Sequence, residues 1–179
     1  MNSLELFAHP VRLRVVHALR GGRTMTTAQL GDRLPDVSKA TVYRHVDLLH
    51  AAGVLEVAEE RRVRGAVERA YRLRQDRAVV DAATMQAMSP DDHRRAFAAA
   101  MAALLAEFGA YLDRDGADPA TDLVGYRQHA MWLSRDELLE MIEEMRGALV
   151  SRLANPPAPG RARYLVSPIL FPAEDRRPG

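Results

Sequence analysis

The sequence predicts an α+β fold, mainly helical, on three observations. Two helix starts with matching end chemistry stand twelve residues apart, at Thr26 and Ser38. Behind them, Val54 to Leu73 alternates apolar and polar residues around an arginine-rich tip. Beyond Ser89, two further strong helix starts open long stretches whose apolar residues recur at helical spacing.

Taken from the start, Leu4, Phe7, Val11, Leu13, Val15, Val16 and Leu19 form a helical pattern with Pro10 inside it. Proline at the first helical position costs little, because that amide has no partner within the helix anyway. The main helix is therefore expected to begin at Pro10, with Leu4 to Ala8 as a leading turn and Gly21-Gly22 as its end. His9 and His17 could bind metal across a dimer, but packing or exposure accounts for them, and no metal site is expected.

Thr26 with Gln29 is a capping box, and Met25 can staple onto Leu30. Pro35 stops that helix, since it lacks an amide hydrogen and pushes Leu34 out of the helical region. Ser38 caps the second helix, with Val37 stapling onto Val42. On this helix Val42, Val46 and Leu49 make one buried stripe, with Ser38 and His45 at its margins. Ala40, Thr41, Arg44 and Asp47 lie opposite, with Tyr43 on a flank. Small and polar residues on an exposed helix face suit entry into a major groove, where bulk would clash and hydrogen-bonding groups read base edges. A plain helical hairpin with a solvated face fits that segment equally well.

The following residues separate the two readings. Gly53 can end the helix in the left-handed conformation, after which Val54, Leu55 and Val57 begin a strand. After a charged tip from Glu59 to Gly65, Val67, Tyr71 and Leu73 share one face of a second strand. Helix, turn, helix and basic hairpin in that order describe a winged helix-turn-helix. Arg61, Arg62 and Arg64 would then lie where a phosphate backbone or minor groove passes.

The run His9-Pro10-Val11-Arg12-Leu13-Arg14 through Leu19, then Ser38-Lys39-Ala40-Thr41-Val42-Tyr43-Arg44-His45-Val46 and Leu49 to Val54, resembles the winged-helix DNA-binding domain of ArsR-type bacterial repressors over residues 3 to 75. The resemblance implies a homodimeric transcriptional regulator whose second motif helix reads operator DNA. The chain has no cysteine, so the thiolate metal site of that family's metal sensors is missing and metal sensing does not carry over.

Ser89-Pro90-Asp91-Asp92 opens a helix expected to run about six turns to Arg114, carrying Phe97, Met101, Leu104, Leu105, Phe108, Tyr111 and Leu112. Five alanines between Ala98 and Ala103 widen its apolar face, which fits both core packing and a dimer seam. Asp113 to Pro119 reads as a loop. Leu123 to Leu133 alternates as a strand, and Ser134 with Glu137 boxes the start of a helix striped by Leu138, Ile142, Met145, Leu149 and Leu153. Asn155 to Gly160 ends that helix, and Arg163 to Phe171 reads as a last strand before a frayed tail from Ala173. The expected domains are thus 1–75, the winged helix-turn-helix; 76–115, a linker and long dimerisation helix; and 116–179, a strand-helix-strand effector or dimerisation domain.

Phe108, Tyr111, Tyr126, Gln128, Trp132, Met141 and Tyr164 fit either a filled core or a pocket for a small, largely apolar effector. No phosphate loop, dinucleotide fingerprint or zinc-protease motif is present, and Ser134 and Asp136 near His129 already have helix-start roles, so catalysis and cofactors are not expected. Net charge is +1, yet residues 1–77 hold 14 basic against 9 acidic residues and residues 78–179 hold 11 against 15, a basic head on an acidic body. With no basic leader and an apolar run, Ala96 to Ala106, short of the ~20 residues of a membrane span, a cytoplasmic protein is expected. The expected partners are double-stranded DNA, a second copy and a small effector, without a membrane. A winged-helix protein-interaction module is the alternative.

Overall fold

The computed structural model describes residues 6–63, 65–74 and 82–173. Its contacts divide the chain into two compact units, with the division between Asp122 and Leu123. Among the described residues there are six helices and one three-stranded antiparallel sheet, an α+β content as expected.

In the first unit, helix α1 spans Pro10–Leu19, with proline in its first turn. The His9 ring caps it, Nδ1 accepting the Val11 N–H at 3.2 Å. Gly21 and Gly22 follow at φ 79° and 73°, left-handed values that a side chain would strain. Strand β1, Thr24–Thr26, leads into helix α2, Thr27–Arg33. The capping box forms as read, Gln29 Oε1 accepting the Thr26 N–H at 2.8 Å and Thr26 Oγ1 accepting the Gln29 N–H at 3.2 Å. Helix α3, Lys39–Ala51, starts at Ser38 and ends in a Schellman motif. There Gly53 sits at φ 73°, its N–H bonds the His50 carbonyl, and the Val54 N–H bonds the Leu49 carbonyl.

Leu30, Leu34, Val42, Val46, Leu49, Leu19, Val15, Val16 and Leu55 are among the residues of one core under these three helices, with Met25 and Tyr71 closing it from the sheet. The stripe read on α3 is thus the face that fixes this helix to the domain.

Strands β2, Leu55–Val63, and β3, Ala66–Leu73, form the hairpin, and β1 pairs with the other edge of β3, giving the order β1-β3-β2. The hairpin differs from expectation in its length. Residues 59 to 63, expected as a loop, continue the ladder: Glu60 faces Arg69 and Arg61 faces Glu68 across it. Opposite charges on facing residues let a polar sequence stay paired. An irregularity between Val57 and Glu59 shifts the register. Strand β1 was not foreseen, because three residues are too few to show an alternation.

Helix α4, Ala82–Gln86, precedes α5, Pro90–Leu112, whose Ser89–Asp92 capping box is complete. Helix α5 packs on α1. Its buried residues are Ala99 and Ala103, whereas Phe97, Leu105 and Leu112 are exposed. The closest approach of the two helices is therefore carried by alanines; of the large apolar residues expected to share that packing, Met101, Leu104, Phe108 and Tyr111 are half-buried, and Phe97, Leu105 and Leu112 point elsewhere. By length and composition α5 could cross a membrane. One turn beyond Ala103, however, Glu107 accepts from Arg14 Nε of α1 at 3.3 Å, an ion pair suited to a protein-facing side.

The second unit contains helix α6, Arg135–Leu153, with the Ser134–Glu137 capping box in place. The strands expected at residues 123–133 and 163–171 are not formed; both segments run without secondary structure on either side of α6. The strand-helix-strand arrangement is corrected accordingly. Alternation gives a segment a strand-like pattern, but a strand needs a ladder partner, and neither segment meets one among the described residues.

A candidate nucleic-acid interface on helix α3

The stripe of Val42, His45, Val46 and Leu49 is buried, which turns the opposite side of α3 outward. Ala40, Tyr43, Arg44, Asp47, Leu48 and Ala51 line one shallow, open surface along the helix. Tyr43 is 49% exposed although aromatic, so its ring stands on the protein exterior. With Ala40 at one end and the guanidinium and phenol near the middle, the face combines a low profile with donors and an acceptor.

The other sequence-selected residues divide by what their side chains already do. Ser38 accepts the Thr41 N–H at 3.3 Å, and its hydroxyl lies 2.8 Å from Thr41 Oγ1. Those two hydroxyls are engaged in capping the start of the helix, and Thr41 is half-buried. Lys39 is exposed and 4.0 Å from Asp32. Arg61 and Arg62 are exposed on β2, while Arg64 lies outside the described residues. Arg69 and Arg72, not singled out from sequence, are tied across the hairpin to Glu60 at 2.8 Å and Glu56 at 2.5 Å. Arg61 and Arg62 are the arginines of β2, on opposite faces of the strand, with Arg61 across from Glu68.

Under the face lies a feature that the sequence reading placed at the margin. His45 is 3% exposed, and its ring is 4.2 Å from that of His9. Neither His45 nitrogen meets a hydrogen-bond partner among the described residues. Burial, then the positive neighbours His9, Arg12 and Arg44, push its pKa down to about 4. His9 is lowered too, by burial and by Arg12 and Arg44. The ring is therefore neutral at pH 7, a spacer between α1 and α3. Its signal was available: positions 42, 45, 46 and 49 follow the i, i+3, i+4, i+7 spacing of a complete helix face.

A second buried group links the motif to α5. Arg14 is 2% exposed, with Nη1 and Nη2 donating to the two carboxylate oxygens of Asp36 at 2.6 and 2.8 Å, while Nε donates to Glu107. Asp36 belongs to the turn between α2 and α3, so one guanidinium holds the turn and the long helix together. The hydrogen bond from Arg14 holds the Asp36 carboxyl below its ordinary pKa.

The residues considered for an effector are spread along the chain. Phe108 and Tyr111 stack at 5.9 Å, and the Tyr111 hydroxyl donates to Asp122 at 2.7 Å. In the second unit Tyr126, Gln128, Trp132 and Tyr164 are exposed and Met141 is half-buried, so within that unit they line no enclosed site. Among the described residues no group of His, Asp or Glu is arranged to hold a metal ion.

Residues 7–58, which run from the leading turn through α1, α2, α3 and into β2, match the family of helix-turn-helix domains. No protein of curated function matches the chain.

Proposed function

We propose that this protein is a sequence-specific DNA-binding transcriptional regulator, a repressor that binds a pseudo-palindromic operator as a homodimer. One observation carries the reading most: α3, the second helix of a matched helix-turn-helix, is fixed by a fully buried stripe and presents Ala40, Tyr43, Arg44 and Asp47 outward. A helix held rigidly with a low, polar outer face is what base-edge reading requires. The domain match favours binding over catalysis, and a DNA partner implies a cytoplasmic site of action.

In the mechanism, Arg44 forms the guanine contact, its forked donors matching O6 and N7, and Tyr43 and Ala40 shape the fit beside it. Thr41, half-buried against the cap, sits at the edge of this surface. Ser38 and Lys39 hold a phosphate at the positive end of α3, and Arg61, Arg62 and Arg64 hold the neighbouring backbone. Two copies place their α3 helices ~34–36 Å apart, one turn of DNA, and the exposed Phe97, Leu105 and Leu112 of α5 contribute to the seam between them. A small apolar effector relieves repression by altering that spacing.

Selection from a randomised duplex pool, repeated at two salt concentrations, tests the reading. An enriched inverted repeat with salt-dependent affinity is expected. Absence of both enrichment and salt dependence would make the domain a protein-binding module.

Two substitutions separate the roles. Arg44→Ala is expected to cost ~1–3 kcal/mol and to relax preference at one base position, whereas Arg62→Ala weakens all sequences alike and reduces the salt slope by about 1. Competition binding against single-base operator variants checks this, and equal, uniform losses from both variants would refute the assignment.

A further inference from the structure

Asp47 is the acid of helix α3, and it lines the same outward surface as Tyr43 and Arg44. Ala40, Arg44, Asp47 and Ala51 follow one another at steps of four, three and four residues, one stripe along the helix, and all four are exposed. Alanine at both ends of the stripe lets the backbone come close to a groove floor. A carboxylate only one methylene from its backbone needs that approach to reach a base edge.

The charge of Asp47 is unmatched, unlike that of its neighbours. Asp32, Asp36, Glu56 and Glu60 each lie within 4.0 Å of a lysine or arginine nitrogen. On the other helices, acids three residues before an arginine pair with it, as Asp91 does with Arg94, Asp92 with Arg95 and Glu143 with Arg146. On α3 the order is reversed, Arg44 before Asp47, the less favourable sense for a helical pair. Neither side chain meets a hydrogen-bond or ion-pair partner among the described residues.

A carboxylate between two walls of phosphates is repelled by DNA of every sequence. An amino group offsets that repulsion, since a carboxylate accepts hydrogen bonds and cannot donate them. In the major groove the amino groups are N4 of cytosine and N6 of adenine, whereas guanine and thymine set acceptors against the charge. Adenine also places its N7 acceptor beside N6, so a group that only accepts favours cytosine. Three helical residues rise ~4.5 Å, against ~3.4 Å per base pair, so Arg44 and Asp47 reach neighbouring base pairs.

We propose that Asp47 is a specificity-determining residue that accepts from N4 of a cytosine in the base pair next to the guanine contacted by Arg44. This deepens the DNA-reading role of α3 proposed above and rests on it.

The duplex selected by the full wild-type chain is the starting point. Competition binding of wild type, Asp47→Ala, Asp47→Asn and Arg44→Ala is measured against duplexes carrying each base at each half-site position, with thermal unfolding to check that each variant is folded. Wild type is expected to prefer cytosine about tenfold at the position next to the one that Arg44→Ala relaxes. Asp47→Ala loses that preference and no other, and binds random duplex no more weakly than wild type. Asp47→Asn, whose amide matches N6 and N7 of adenine, moves the preference from cytosine to adenine. If Asp47→Ala binds every sequence more tightly by one factor, Asp47 is only a repelling charge; if it relaxes only the position read by Arg44, Asp47 is only a support for that side chain. Either result overturns the proposal, as does a uniform loss of affinity. A wild type that selects an inverted repeat while Asp47→Ala keeps every preference sinks this inference alone. A wild type that selects no sequence removes the DNA-reading role itself.

Discussion

Acidification from pH 6.5 to 4 is expected to remove about 3 kcal/mol of stability from the helix-turn-helix unit, through His45. The folded-state pKa of this ring is about 4 against 6.5 for an exposed histidine. Between those values the unfolded chain binds a proton that the folded chain refuses. Stability therefore rises with pH across the window, is complete above 6.5, and is lost as pH falls toward 4. The cause is mainly burial, since His45 is 3% exposed and its nitrogens lack partners among the described residues, with His9, Arg12 and Arg44 adding repulsion. His9 is shifted in the same direction and deepens the loss. Asp36, whose pKa is lowered, withdraws its contribution only below its ordinary value of 3.8 and leaves the window intact. Urea unfolding at pH 7.5, 5.5 and 4.5 measures the slope. His45→Leu, which has no proton to bind, should flatten most of it; a slope unchanged by that substitution would place the acid sensitivity elsewhere.

Arg14→Ala is expected to destabilise the same unit by about 3 kcal/mol, the lower end of the range for breaking a buried ion pair. The lower end applies because the orphaned partners are not fully buried: the Asp36 side chain is 56% exposed and that of Glu107 29%. The loss includes a two-pronged hydrogen bond to Asp36, the contact to Glu107, and the packing of the hydrocarbon stem. Arg14→Lys keeps the charge but cannot make the fork, and should recover only part of the loss. The exposed pair Arg146–Glu143 on α6 is the reference, since removing an exposed helical pair of this kind costs ~0.3–0.5 kcal/mol. Denaturant midpoints of the three variants decide the matter. Equal costs for Arg14→Ala and Arg146→Ala would mean that the link between the α2–α3 turn and α5 carries no energy. The Asp36 carboxyl should also titrate closer to its ordinary value in Arg14→Ala, a change that lost packing alone would not produce.

Much of the first 60 residues was legible because their signals are local. Thr26 with Gln29, Ser38, Pro10 and Gly53 act on backbone groups within a few residues of themselves, so the sequence carries both halves of each interaction. The same holds for Ser89 with Asp92 and Ser134 with Glu137. Periodicity identified the face of α3 that packs, and hence the face left for Arg44. The same spacing includes His45, but a histidine is equally at home on a margin, and only its burial in the folded unit, with the His9 ring 4.2 Å away, explains the neutral ring.

The sequence by itself determined the order of the three motif helices and the hairpin, the ends of the helices, and which side of α3 faces out, because these depend on spacing and on hydrogen bonds between near neighbours. The tertiary structure decided what depends on partners distant in the chain. Three residues from Thr24 to Thr26 became a strand because β3 offered an edge. The charged hairpin tip stayed paired because Glu60 met Arg69. Arg14 went inside because Asp36 and Glu107 met it there. The alternating segments at 123–133 and 163–171 stayed unpaired for the converse reason: alternation sets which face a strand would bury, but hydrogen bonds from a neighbouring strand must supply the energy, and none is within reach among the described residues.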